Sequence, residues 1–342
     1  MIKFPSIDQY RNVIKHVRDN AKYHSVPVPK VRFTGTVKLH GTNAAVCYDL
    51  TTREVWTQSR ENIITPENDN AGFAMWVHGK RPEFNNLFVK FVEQVNFKTG
   101  DIVQVYGEWC GGSIQKGIGL SQLPKMFVIF GFRISHDGES QDWFTPAGQT
   151  WFSQYLVNGT DIFDIHQFPT WTKVIDFTQP ELIQNELIDL TIAVEDRCPV
   201  ANQLLGDKAV GDLVGEGIVW TADEAIDSPI NVSGLRFKVK GEKHSASKVK
   251  VLAAVDTEKV ASVNEFADNV CTVSRFEQML DKMRQEGLDS KDVKNTGVFI
   301  KYVMNDVIKE ELDTIADNGL TTKDIAGPCS NRTRQYYMNQ GV

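Results

Sequence analysis

Nothing in the 342 residues approaches the run of roughly 18 apolar side chains that a membrane-crossing helix needs, so no membrane partner is expected. The opening MIKFPSIDQYRN has no apolar stretch behind its charges to act as a signal peptide, and a cytoplasmic location is the expectation. The five cysteines (Cys47, Cys110, Cys198, Cys271, Cys329) are scattered, odd in number and include no CxxC pair. That argues against a disulfide framework and against a zinc site, and leaves packing as the first reading for them and reactivity as the lesser one. The seven histidines show no HxxxH spacing, and there are no internal repeats or low-complexity tracts.

What is present is material for a large core. With 41% hydrophobic side chains, the length suits one large and one smaller domain, or two of similar size. The net charge of -7 counts against a nucleic-acid partner, but the mean hides strong patterning. Residues 181–235 carry 2 basic and 11 acidic side chains, whereas residues 236–250 (RFKVKGEKHSASKVK) carry 6 basic and 1 acidic. That cluster is a local anion-binding feature within an acidic protein. Arg236, Lys238 and Lys240 alternate with Leu235, Phe237 and Val239, so a strand would set the three cations on one side and the apolar residues on the other.

Ser6 and Gln9 have capping-box spacing, which predicts a helix of about three turns through Tyr10, Val13, Ile14 and Val17. From Val31 to Phe132 the segments VRFTGTVKL, AAVCYDL, REVWTQS, IVQVYGEW and MFVIFGFRI enrich β-branched and aromatic residues between turn signals, as a mainly antiparallel sheet would. Residues 181–205 read as helical, and GEGIVWT and GLRFKVK as two more strands. Beyond about residue 251 the i, i+3, i+4 spacing in FEQMLDKM and FIKYVMNDVIKEEL predicts a helical domain, reached through GEKHSASK, with Ser290 and Thr321 at helix N-caps.

Chemistry concentrates in five strings: KLHGTN at Lys38–Asn43, Ser59 with Arg60, VYGEW continuing into GGSIQKG, EGIVW from Glu216, and LRFKVKG from Leu235. A lysine at a strand end before a Gly-Thr turn is a candidate covalent nucleophile. It attacks phosphorus only as the free amine, and an ordinary lysine titrates near ~10.4, so neutrality at pH 7 costs roughly 4–5 kcal/mol. Burial and neighbouring cations supply such a shift, and Lys238 and Lys240 suit that part while also binding a triphosphate. Glu108 and Glu216 sit at strand ends beside glycines, where carboxylates can hold a ribose hydroxyl or a hard cation.

In order and spacing this series resembles the ATP-dependent RNA ligases of the phage T4 RNA ligase 2 type, a branch of the covalent nucleotidyltransferases that includes the trypanosome RNA-editing ligases. The resemblance covers roughly residues 1–245 as a motif series and the helical tail more loosely. KxHGTN stands where DNA ligases and capping enzymes have KxDGxR, and helices follow where those relatives have a β-barrel.

The resemblance implies an α+β fold: a mainly antiparallel-sheet nucleotidyltransferase domain of ATP-grasp-like ligase type over residues 1–245, then a smaller all-helical RNA-binding domain over 251–342. It implies catalytic roles for Lys38, His40, Arg60, Lys238 and Lys240. ATP, passing through covalent AMP, would be held by these lysines with Asn43, Arg60, Glu108, Phe130 and Glu216. Glu108 would contact the ribose and, with Glu216, the metal, Mg²⁺ with Mn²⁺ as an alternative. His40, Gln115 and Lys116 would meet the RNA, either a nicked duplex or ends held together by pairing. Phe130 would stack on adenine, with Phe132 as the competing aromatic; Thr42 and Asn43 equally suit holding the turn. Val37 and Gly131 depart from the family pattern, which has acidic residues at both places. A monomer of phage origin is the implied form. The rivals are an ATP-dependent DNA ligase, a GTP-using capping enzyme, and a catalytically inert scaffold that binds nucleotide and RNA.

Overall fold

The computed structural model describes residues 1–60, 62–69, 71–94, 100–136, 140–145, 161–241 and 257–340. The chain divides into two compact units, Met1–Ala253 and Ala254–Val342. The GEKHSASK segment beyond Gly241, with the basic residues after it, lies outside the described residues.

The first unit is built on two mainly antiparallel sheets. One contains β1 (Asp8–Gln9), β2 (Lys30–Lys38), β10 (Thr170–Asp176), β11 (Gly217–Ala225) and β12 (Arg236–Lys240), in the order β1-β12-β11-β2-β10. The other contains β3 (Thr42–Asp49), β4 (Val55–Ser59), β5 (Ile63–Ile64), β6 (Ile102–Cys110), β7 (Met126–His136) and β8 (Ser140–Phe144), in the order β5-β4-β3-β6-β7-β8, with β9 (Ile162–Asp164) parallel to β7. In β2 and β12 alternate side chains are buried, as period-2 pleating requires of a sheet with one covered face. Helix α1 (Tyr10–Tyr23) covers that face by burying Tyr10, Val13, Val17 and Ala21 in the cluster that holds Phe33, Trp220 and Phe237.

Helices α2 (Phe73–Gly79) and α3 (Arg81–Gln94) pack on the second sheet through Phe73, Phe84, Phe88 and Phe91, all at most 2% exposed. Burial of each such ring is worth about 1.5–3 kcal/mol, enough to turn an aromatic-rich segment within a strand-like region into helix. Helices α4 (Gln184–Asp196) and α5 (Pro199–Leu205) follow, separated where Pro199 opens the second.

In the second unit the described residues form α6 (Thr257–Val270), α7 (Val273–Gln285), α8 (Thr296–Glu310), α9 (Leu312–Asp317) and α10 (Thr322–Met338). Their shared core includes Ala267, Met283, Phe299, Val303, Ile325, Cys329 and Tyr337.

Two local expectations are corrected and a third holds. Helix α1 runs 14 residues and begins at Tyr10 with Gln9 as an N-cap that makes no side-chain cap bond, because Gln9 pairs with β12 instead. Ser290 caps nothing: its hydroxyl accepts from Arg284 Nε at 3.2 Å, and Asp292 caps the short turn ahead of α8. Thr321 does cap α10, in a reciprocal box with Asp324. The sequence reading also passed over α2, α3 and β10. Among the described residues no helix is long and apolar enough to cross a membrane, and four of the five cysteines are buried, all of them free.

Candidate active site

The site grows from one row of the first sheet. Gly217 of β11 lies between Lys38 of β2 and Lys240 of β12, in register with both. Strict alternation along β11 would turn Glu216 toward the core beside Ile218 and Trp220. Gly217 has φ +146°, a conformation side chains resist, and a Cβ there would lie 2.2 Å from the Val239 carbonyl. This kink frees Glu216 to face the lysines. Lys38 Nζ donates to its Oε2 at 2.7 Å, Lys240 Nζ lies 2.7 Å from Oε1, and His40 Nδ1 lies 3.4 Å from Oε2. The Glu216 side chain is 2% exposed.

Burial alone would raise the Glu216 carboxyl, but it is outweighed. The His40 hydrogen bond, the Lys38 charge and the bonds from Lys240 and Lys38 hold it well below the usual carboxylate range. Lys238 stands two residues back on the same face as Lys240, opposite Val219. Burial pushes its ammonium down from the ordinary lysine value, and the charges of Lys38, Lys240 and Arg60 push further against the opposing pull of Glu216. Arg60 is exposed just beyond β4.

The turn after Lys38 is clamped from both sides. The Gly41 N–H donates to Glu108 Oε1 at 2.9 Å, and Gln115 Nε2 donates to the Gly41 carbonyl at 3.2 Å. Only glycine fits, since a Cβ on Gly41 would stand 2.4 Å from the Trp109 carbonyl. Glu108 is raised to about 7, chiefly by burial and further by Glu216, against the Lys38 charge and the Gly41 hydrogen bond. Asn43 pairs with Glu108 across β3 and β6, so both occupy one rung beside the turn.

Phe130 and Phe132 are separated by a bulge in β7, where the pairing steps from Tyr106–Gly131 to Gly107–Ile129 and leaves Phe130 without an opposite residue. Phe132 is fully buried and stacks on Phe91 at 5.0 Å, so it is core. Phe130 stays half-buried, edge-on to Phe4 at 4.8 Å.

The structure therefore brings Lys38, His40, Glu216, Lys238 and Lys240 to one place and sets Glu108, Asn43 and Gln115 around the adjoining turn. Gln115 braces the turn through the Gly41 carbonyl. Lys116 is exposed and makes no hydrogen bond or ion pair among the described residues. Sequence reasoning missed Gly217, whose only signal is its place after Glu216, and Phe4, which lies in no periodic segment.

Among the described residues no group of three or more His, Cys, Asp or Glu converges to hold a metal ion. The second oxygen of Glu108 accepts no hydrogen bond among those residues. One open carboxylate oxygen beside a second carboxylate suits Mg²⁺, which takes one or two such ligands and completes its shell with water and phosphate oxygens.

The model of one protein family, RNA ligase, matches residues 31–240. No curated protein matches the chain. Among solved structures, a Naegleria gruberi RNA ligase mutant with ATP and Mn is 16% identical at a TM-score of 0.45, covering 71% of this chain and 57% of that one. An apo mutant of the same ligase is 17% identical at 0.46, covering 72% and 58%. The chain thus spans less than three-fifths of the length of those proteins.

Proposed function

Since the chain belongs to the RNA ligase family, we propose that it is an ATP-dependent RNA ligase of the covalent nucleotidyltransferase class, with Lys38 as the nucleophile. The observation that carries this reading is the cationic row at one carboxylate: Lys38 and Lys240 on the two oxygens of Glu216, with Lys238 on the same face.

In the first step Lys38 leaves Glu216 and gives its ammonium proton to solvent, and the free amine attacks the α-phosphorus of ATP, forming an N–P bond as the bond to pyrophosphate breaks. Lys238 and Lys240 face the triphosphate and take up the charge leaving with pyrophosphate. In the second step the AMP passes to the 5′-phosphate of an RNA strand, and Lys38 is restored. In the third an adjacent 3′-OH attacks that phosphorus, AMP departs, and the strand is sealed. The protein's contribution is positioning and charge neutralisation.

Glu108 holds the Gly41 turn through one oxygen and offers the other to the ribose or a cation; Asn43 lies beside it. Glu216 is the second ligand once its lysines let go. A bound Mg²⁺ or Mn²⁺ would neutralise phosphate charge there. Phe130 stacks on the base. His40 and Arg60 meet the 5′-phosphate, and Gln115 keeps the turn in register for it. The helical second unit, with 11 basic against 15 acidic residues over 251–342, holds nicked RNA by shape and a restricted basic face. The working form is a cytoplasmic monomer.

Incubation with α-labelled ATP and Mg²⁺ after pyrophosphate treatment to strip any bound AMP tests the chemistry. Acid-labile label on the wild type and none on Lys38→Ala is the expected result; label that persists on Lys38→Ala would show a different nucleophile. Faster sealing of all-DNA nicks than of RNA nicks would overturn the substrate.

A further inference from the structure

The two cysteines of the helical unit, Cys271 and Cys329, take no part in the ligation chemistry, yet they lie together. Cys271 follows the last turn of α6, its N–H still donating to the Ala267 carbonyl at 3.0 Å, and Cys329 stands within α10. Across 58 positions of sequence the Cys271 thiol donates to the Cys329 carbonyl at 3.9 Å, and the two thiols are hydrogen-bonded to each other. Cys329 is fully buried in the helical core, whereas Cys271 is half-buried and packs against it. One sulfur is therefore within reach of a small solute, and the other is its neighbour.

Two arginines hold this place. Arg275 donates from Nη1 to the Val270 carbonyl at 2.6 Å and pairs with Asp306 and Glu311. Arg332, one turn past Cys329, reaches across to the Asn264 carbonyl at 3.1 Å and to Asp268, both on α6. The Cys329 hydrogen bond lowers the Cys271 thiol from its ordinary value; burial opposes it, and the Arg332 charge, the Thr333 hydroxyl and the Arg275 charge reinforce it. In the first unit Cys47, Cys110 and Cys198 are at most 2% exposed, and burial pushes all three thiols up. Because the thiolate is the nucleophile, oxidants are directed to Cys271 and away from those three.

We propose that Cys271 and Cys329 form a redox site at which a hydroperoxide converts the dithiol to a disulfide, stapling the end of α6 to α10. The Cys271 thiolate attacks the terminal peroxide oxygen, an S–O bond forms as the O–O bond breaks, and the leaving oxygen takes up a proton, giving a sulfenic acid on Cys271. The Cys329 sulfur then attacks the Cys271 sulfur. An S–S bond forms, the S–O bond breaks, and the oxygen leaves as water with the Cys329 proton. The two thiols lose two electrons and two protons between them, and hydrogen peroxide becomes two waters. A small dithiol reverses the change by exchange. This inference is independent of the ligase reading.

The full chain, freed of reductant, is treated with hydrogen peroxide, then unfolded, alkylated and digested without reduction. The expected product is a peptide pair joined through Cys271 and Cys329 that dithiothreitol separates, with Cys47, Cys110 and Cys198 recovered alkylated. Closing a loop across 58 positions should also raise the melting temperature of the helical unit by about 10 °C in the oxidised wild type and leave that of peroxide-treated Cys271→Ser unchanged. Cys271 stopping at a sulfenic or sulfinic acid while Cys329 is alkylated would overturn the pair. So would a joined peptide that forms only when peroxide is added to the urea-unfolded chain, or oxidation spread evenly over all five cysteines.

Discussion

Glu216→Gln keeps the volume of the side chain at the centre of the site and removes its charge. In the wild type that carboxylate accepts from Lys38 and Lys240, each at 2.7 Å, and is itself 2% exposed. A hydrogen bond to a charged group is worth about 1.5–3 kcal/mol, and the Lys38 side chain, 19% exposed, falls in that range. Lys240 is 36% exposed, so water and salt screen its share to below ~1 kcal/mol. The substitution also turns an amide N–H₂ toward a lysine. The sum is about 3 kcal/mol, or a melting temperature lower by roughly 10 °C for a unit of this size.

The pH dependence separates this cause from a packing defect. The folded carboxyl lies below its unfolded value, so its contribution is fully present above about 4.3 and is lost as pH falls toward the depressed folded value. The deficit of Glu216→Gln should therefore hold steady from pH 8 to pH 5 and shrink only in stronger acid. Calorimetric melting of both proteins across that range is the assay. A melting temperature within about 2 °C of wild type at pH 7, or a deficit that fades between pH 7 and 5, would refute the assignment of Glu216 as a charged anchor.

Glu108, pushed up to about 7 mainly by burial, has the opposite sign. It favours the folded state below about 4.3 and loses that contribution as pH rises through 7, so unfolding midpoints of the ligand-free protein should fall over that window and Glu108→Gln should flatten the fall. Phe130→Ala should weaken ATP binding by about 1–3 kcal/mol with little change in stability. Phe132→Ala should cost about 3–5 kcal/mol of stability and leave the nucleotide affinity of the folded fraction unchanged, because Phe132 is locked against Phe91.

Local periodicity was a sound guide wherever one face of an element is buried and the other is wet. The alternation of Arg236, Lys238 and Lys240 with Phe237 and Val239 is visible in the sequence and survives in β12. It failed where two signals compete. The phenylalanines of α2 and α3 have strand-like composition, and only their burial against β6 and β7 selects helix. β10 was missed because its outward residues, Thr170 and Val174 among them, face solvent and dilute the pattern. Lys38 and Glu216 were both named as site residues, yet their pairing across 178 positions is a tertiary fact, and no local pattern carries it. The same holds for the contact of Phe4 with Phe130, which joins positions more than a hundred residues apart.

The strand order β12-β11-β2 has a consequence for synthesis. β2, with Lys38, emerges early but has no contact with β12 until β11 lies between them. A growing chain that has not reached Glu216 carries Lys38 on a strand with an open edge, without its opposing carboxylate or the lysines of β12. Closing that edge and completing the cluster around Glu216 are one event, so the lysines gather at one carboxylate only once the sheet is whole. The cost falls on folding rate, because pairing partners nearly two hundred residues apart must find each other before either is useful.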